Sequence, residues 1–225
     1  IRRPPRSTQG VSSAASDVYK RQVLIACEYS GIVREAFKKR GHEAWSCDIL
    51  PTEIEGNHFQ GDVLNYLNLE KYKWDLIIAH PPCTYLSNAG ACRLYPEKGK
   101  LNIERYKKGL EAKKFFMCFY NLDCKVAIEN PVQSRIFELP KHDQEIQPYE
   151  FGHPYTKKTR LWLKGLPKLK PTNIIDKSEV KTFIESGTSR YKNTNKNKNR
   201  YVARGSKDRS KFWSGIAEAM AQQWG

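Results

Sequence analysis

Long apolar runs are scarce: the longest is the six residues Phe115 to Tyr120, against the roughly 18 or more that a membrane-crossing helix requires. A spanning helix is excluded and a soluble protein is expected. Acidic residues are outnumbered, 24 Asp+Glu against 39 Lys+Arg, which leaves a formal charge of +15 on 225 residues. That excess favours a polyanionic partner such as nucleic acid, because each neutralised phosphate releases condensed counterions. The six cysteines, Cys27, Cys47, Cys83, Cys92, Cys118 and Cys124, form no C-x-x-C pair and no zinc-ligand spacing. Reduced thiols in a cytoplasmic setting are expected, and nothing calls for a metal.

The first 22 residues have little apolar content, no periodicity and no apolar core of a signal peptide. They resemble translated sequencing-adaptor or vector sequence and are read as an artefactual or disordered segment outside the fold. They carry five basic residues and one acidic, so a charge of +11 survives without them. The remaining length suits one domain with one core.

From residue 23 short apolar runs alternate with turns of small residues and helix-like stretches, the signature of βαβ units. Val23 to Cys27 reads as a buried strand, Ser30-Gly31 as a turn, and Ile32 to Arg40 as an amphipathic helix stopped by Gly41. Ala44 to Cys47, Trp74 to Ala79 and Lys125 to Ile128 read as further strands, and Leu101 to Leu122 as a long crossover helix. A short helix is expected between Pro131 and Leu139. Gln147 to Phe151 and Arg160 to Leu163 are expected to form a late β-hairpin around Gly152-His153-Pro154. The stretch 187–211 holds nine basic residues and one acidic and reads as a loop. Ser214 to Trp224 returns to a helical pattern, which makes the basic stretch an insertion. The expected architecture is α/β of Rossmann type, a mostly parallel sheet with one late antiparallel strand, formed by 23–166 and 210–225 around a small basic insertion at 167–209.

The sharpest local feature is DLIIAHPPCTYLS: Cys83 follows a buried strand and the rigid pair Pro81-Pro82, at the sheet edge where ligands of open α/β folds bind. A thiol held there near cations can act as a nucleophile, and a buried structural cysteine is the plainer alternative. VAIENP at 126–131 also ends a strand, bringing Glu129 and Asn130 to the same edge. A carboxyl group held among apolar neighbours keeps its proton and can donate it.

Together, PPC followed 46 residues later by EN resembles the DNA cytosine-5 methyltransferase family, most of all its short phage-encoded members. The resemblance runs from about Val23 to Trp224. It implies a Rossmann-like methyltransferase that uses S-adenosylmethionine and acts on DNA, with double-stranded DNA the expected partner, after the target base leaves the helix. Cys83 matches the nucleophile that adds to carbon 6 of cytosine, and Glu129 matches the acid at ring nitrogen 3. Arg160, in KKTRLWL, resembles the second arginine of the family's Q-x-R-x-R strand, with Lys158 at the first. On the cofactor side the resemblance implicates Glu28, Ser30 and Gly31 in the first turn and Asp48 for the ribose hydroxyls. It further implicates Ile49 for the adenine, Asp62 and Val63 beside the adenine amino group, and Pro81. Asn130, Lys158, Arg190, Lys192, Arg200 and Arg204 are the DNA-contacting candidates. Departures from the family are His80 where glycine is common, Pro131 where valine is usual, and Lys158 where arginine would make a bidentate contact.

Two other readings share the scaffold. An exocyclic-amino methyltransferase would polarise its amine with Asp/Asn/Ser-Pro-Pro-aromatic, whereas here the prolines are flanked by His80 and Cys83. A non-catalytic DNA-binding relic would keep the scaffold without need of Cys83, Glu129 and Arg160.

Overall fold

The computed structural model describes residues 20–67, 73–185, 200–203 and 212–225. A seven-stranded sheet forms its centre, built from β1 (Gln22–Ala26), β2 (Glu43–Asp48), β3 (His58–Gln60), β4 (Leu76–Ala79), β5 (Lys125–Pro131), β6 (Gln144–Ile146) and β8 (Thr159–Lys164). Their spatial order is β3-β2-β1-β4-β5-β8-β6. The first five run parallel, and β8 is antiparallel to both its neighbours. The chain is therefore α/β with a mostly parallel, Rossmann-like sheet and a late antiparallel strand. The helices are α1 (Ile32–Lys38), α2 (Leu64–Leu67), α3 (Ala91–Leu94), α4 (Ile103–Tyr120) and α5 (Ser214–Trp224).

Side chains alternate across a strand, so a strand covered on both faces reads as an unbroken apolar run. In β1, Val23 and Ile25 pack with Val33 and Phe37 of α1 and with Met220 and Trp224 of α5. Leu24 and Ala26 point the other way, toward Phe116 and Phe119 of α4 and Trp162 of β8. Each such large side chain contributes about 1.5–3 kcal/mol on burial. Asn102 starts α4 by accepting from the Arg105 backbone N–H at 2.9 Å, which moves the helix start two residues past the expected Leu101.

The order of strands fixes where a ligand can enter. From β1 the chain winds outward through β2 and β3, then crosses back to β4 on the other side of β1. In open α/β sheets ligands bind at such a reversal, here beyond the carboxyl ends of β1 and β4.

Several sequence expectations are corrected. The expected hairpin strand at 147–151 is instead a single 3₁₀ turn, Pro148–Glu150, because Pro148 has no N–H to donate and Gln147 and Glu150 close a capping box. The strand lies three residues earlier as β6, and β8 pairs with β5 as well as with β6. Between Pro131 and Leu139 there is only the 3₁₀ turn Arg135–Phe137. The basic stretch expected as a loop contains β10 (Arg200–Ala203), which pairs in parallel with β9 (Lys181–Glu185). Beyond it β9 pairs with β7 (Tyr155–Thr156), making a second, three-stranded sheet.

Of the segment 1–22, residues 1–19 lie outside the described residues, while Gln22 opens β1 and the Arg21 guanidinium donates to the Trp224 carbonyl. At the start of the stretch 167–209, Leu169 is buried in the core and the Trp224 indole donates to the Pro167 carbonyl at 3.0 Å. Among the described residues, no helix is long and apolar enough to cross a membrane.

Candidate active site at the carboxyl edge of the sheet

The turn between β1 and α1 is held from within. Cys27 has φ 59° and Gly31 φ 74°, left-handed conformations that cost a non-glycine residue about 1 kcal/mol or more. Glu28 is 5% exposed. One of its carboxylate oxygens accepts from the Val33 N–H at 2.7 Å and the Ser30 hydroxyl at 3.1 Å, and the other from the Arg34 N–H at 3.3 Å. Burial nevertheless raises its carboxyl pKa, with these donors and nearby His80 opposing the shift. Glu28 thus holds the first turn of α1 and shapes the loop that the resemblance gives to the cofactor.

Arg34 was not among the residues singled out by sequence. Its side chain is fully buried and donates to Ser46 Oγ at 2.9 Å, Thr52 Oγ1 at 3.2 Å, the Ile54 carbonyl at 2.5 Å and Glu35 Oε1 at 2.9 Å. A Cβ added at Gly31 or Gly56 would meet its guanidinium at 2.8 or 2.9 Å, so the two glycines make its room. A lone arginine on the apolar face Val33-Ala36-Phe37 is the signal that could have found it. By binding the segment that follows β2, Arg34 fixes the loop carrying Ile49.

Asp48 ends β2, accepting from the Leu50 N–H at 2.9 Å, and Ile49 beside it is 74% exposed. Asp62 is exposed after β3, accepting from the Leu64 N–H at 3.0 Å, while Val63 is buried. Both aspartates act on the thiols beneath them. Burial first, then Asp48, pushes the Cys27 thiol far above its ordinary range, and burial, Asp48 and Asp62 push Cys47 up to about 12. The three strand ends therefore present two carboxylates and one exposed apolar side chain around the β1–α1 turn.

The other half of the edge comes from β4, β5 and β8. β4 and β5 pair with Ala79 opposite Ile128; His80-Pro81-Pro82-Cys83 leaves the sheet there, whereas β5 runs three residues past the expected end at Ile128, with Glu129 and Asn130 still paired to Leu161 and Arg160 of β8. Pro81 is buried, Pro82 exposed and Cys83 partly exposed. The two loops are clasped: Ser87 and Gln133 form an antiparallel bridge, Asn88 N–H donates to the Val132 carbonyl and Ser134 N–H to the Leu86 carbonyl, both at 2.7 Å. Arg105 of α4 donates to the Thr84 carbonyl at 2.7 Å and lies 4.9 Å over the Tyr85 ring. The Cys83 loop is thereby fixed both to β5 and to α4.

Glu129 Oε2 lies 3.4 Å from His80 Nδ1. Asn130 is fully buried and faces Arg160 across the β5–β8 ladder. Arg160 donates to Gln133 Oε1 at 2.5 Å and pairs with Glu145 at 3.6 Å, and Lys158 pairs with the same Glu145 at 3.1 Å. Glu145, unremarked in the sequence, pairs with both basic candidates, Lys158 just before β8 and Arg160 within it. Arg200 opens β10, and Arg190, Lys192 and Arg204 lie outside the described residues.

Buried polar atoms without a partner are uncommon. Here, among the described residues, His80 Nε2, Asn130 Nδ2 and Asn130 Oδ1 lack a hydrogen-bond partner, and all three belong to this edge. Such atoms cost about 1–3 kcal/mol each when left unsatisfied. No family model matches the chain, and no curated protein matches it.

Proposed function

We propose that this protein is a DNA cytosine-5 methyltransferase that uses S-adenosylmethionine. The observation that carries the proposal is the clasp between the two catalytic loops: the Ser87–Gln133 bridge joins the loop of Cys83 to the segment directly following Glu129 and Asn130. A nucleophile and an acid must reach neighbouring atoms of one flat ring, and rigid adjacent strand ends provide that without reorganisation.

In this reading the Cys83 thiolate adds to carbon 6 of a cytosine turned out of the duplex. The Glu129 carboxyl group protonates ring nitrogen 3 as the adduct forms, so charge does not accumulate on the ring. Carbon 5 becomes nucleophilic and would take the methyl group that S-adenosylmethionine supplies, S-adenosylhomocysteine being the leaving group. Solvent takes the carbon 5 proton as the thiolate is expelled, and ring nitrogen 3 returns its proton to the Glu129 carboxylate, which restores the neutral ring.

The residues suit the cofactor. Asp48 and Asp62 offer acceptors for ribose hydroxyls and an adenine amino group, and the exposed Ile49 offers an apolar face for the adenine. The strand order, with β8 antiparallel beside β5, agrees with the architecture expected of such an enzyme. The +15 charge supports a DNA partner.

A duplex carrying 5-fluorocytosine tests the mechanism, because fluorine at carbon 5 cannot leave as a proton does. Incubation with S-adenosylmethionine is expected to trap a covalent protein–DNA adduct whose peptide mass maps to Cys83 and which Cys83→Ser does not form. Efficient turnover with no adduct would contradict the covalent route.

A further inference from the structure

His80 is the residue of this edge that the methyltransferase reading leaves without a task. Its backbone N–H donates to the Ala26 carbonyl at 2.9 Å, tying the residue after β4 back to β1. Its ring lies edge-on to Phe212, at the entry to α5, with centroids 4.6 Å apart. The side chains of His80 and Glu129 are 12% and 18% exposed, so the pair is largely out of water.

Two carboxylates interact electrostatically with the ring: Glu28 of the β1–α1 turn and, at 3.4 Å, Glu129 of β5. Glu28 already accepts from Val33, Arg34 and Ser30, which leaves Glu129 as the partner of Nδ1. The other ring nitrogen decides the tautomer. Nε2 is buried with no partner, and an N–H there would be an orphaned donor, a rarer and costlier arrangement than a bare acceptor. The ring proton therefore belongs on Nδ1, pointing at Glu129 Oε2.

We infer that His80 is a positioning residue for Glu129: its Nδ1–H holds one carboxyl oxygen, so that the other faces the reacting base. The consequence for catalysis rests on the methyltransferase reading, whereas the His80–Glu129 hydrogen bond stands apart from it. At 3.4 Å the contact is long, as such bonds often are before substrate tightens the site.

Two measurements test the inference separately. Long-range ¹H–¹⁵N spectra of the full chain at pH 8 are expected to show His80 protonated on Nδ1, with the Nδ1 proton resonance moving upfield in Glu129→Ala as its acceptor is lost. An Nε2–H ring in the unaltered protein, or no change in the variant, would overturn the hydrogen bond whether or not the protein methylates DNA. In kinetics with S-adenosylmethionine and duplex DNA, His80→Leu is expected to lower kcat at least tenfold with both KM values within threefold. His80→Asn, whose side-chain amide reaches the position of Nδ1–H, is expected to recover most of that loss. Equal kcat in His80→Leu and the unaltered enzyme, or no recovery in His80→Asn, would overturn the positioning role. Absence of all methylation by the unaltered protein would instead count against the enzyme reading, and the spectra alone would then judge the pair.

Discussion

Asn130 of β5 lies directly across the antiparallel ladder from Arg160 of β8, yet the two side chains do not satisfy one another. The amide of Asn130 is fully buried with both polar atoms unpartnered, while Arg160 turns to Gln133 and Glu145. A core position chosen for stability alone would hold a leucine. Replacing unsatisfied polar atoms by apolar ones removes a desolvation cost, so Asn130→Leu is expected to raise stability in urea by on the order of 1 kcal/mol. The same change is expected to weaken duplex DNA binding or turnover at least tenfold, read by fluorescence anisotropy and product formation. A variant with unchanged binding and turnover would show the amide to be packing only.

The buried carboxyl group of Glu28 gives the fold a pH signature. Its folded pKa lies above the ordinary 4.5, chiefly through burial, so between that value and the folded pKa the native state binds the extra proton. Stability attributable to this group is therefore full below about 4.5 and falls as pH rises through the folded pKa. Glu28→Gln keeps an acceptor for Val33 but carries no charge. Its stability relative to the unaltered protein is expected to improve as pH rises above about 4.5 and to level off once the folded pKa of Glu28 is passed, measured by urea unfolding at each pH. A difference independent of pH would contradict the assignment.

The cysteines are expected to separate by environment. Cys27 and Cys47 have thiol pKa values pushed up by burial and by the aspartates above them, and only the thiolate reacts. Iodoacetamide at pH 8 is expected to label the exposed Cys118 and the partly exposed Cys83 while leaving Cys27 and Cys47 unmodified until the chain is unfolded. Peptide mass spectrometry reads the order. Labelling of Cys47 at the rate of Cys118 in the folded protein would contradict the burial argument.

Much of this architecture is legible in the sequence, for an identifiable reason. β1, β4 and β5 are covered on both faces and so appear as unbroken apolar runs, and α4 and α5 follow from helical spacing. Cys83 and Glu129 stand out because each ends such a run. β3 does not, since His58–Gln60 has no apolar run of its own and owes its place to pairing with β2 and to Phe59 stacking between Trp45 and Tyr66. β6 lies three residues before the expected strand because Pro148 and the Gln147–Glu150 box compete with extension. The partnerships of Glu145 with Lys158 and Arg160, and of His80 with Glu129, depend on strand register and on neighbours up to 49 residues apart. No local pattern carries that information.

The central claim is tested most directly by the position of the methyl group. The protein is incubated with S-adenosylmethionine and unmethylated duplex DNA, the DNA is digested to nucleosides, and the products are read by mass spectrometry against standards. The account predicts 5-methylcytosine from the unaltered protein, none from Cys83→Ala, and a rate lower by about 10²–10³ in Glu129→Gln. Methyl on an exocyclic nitrogen, or 5-methylcytosine formed at full rate by Cys83→Ala, would contradict it.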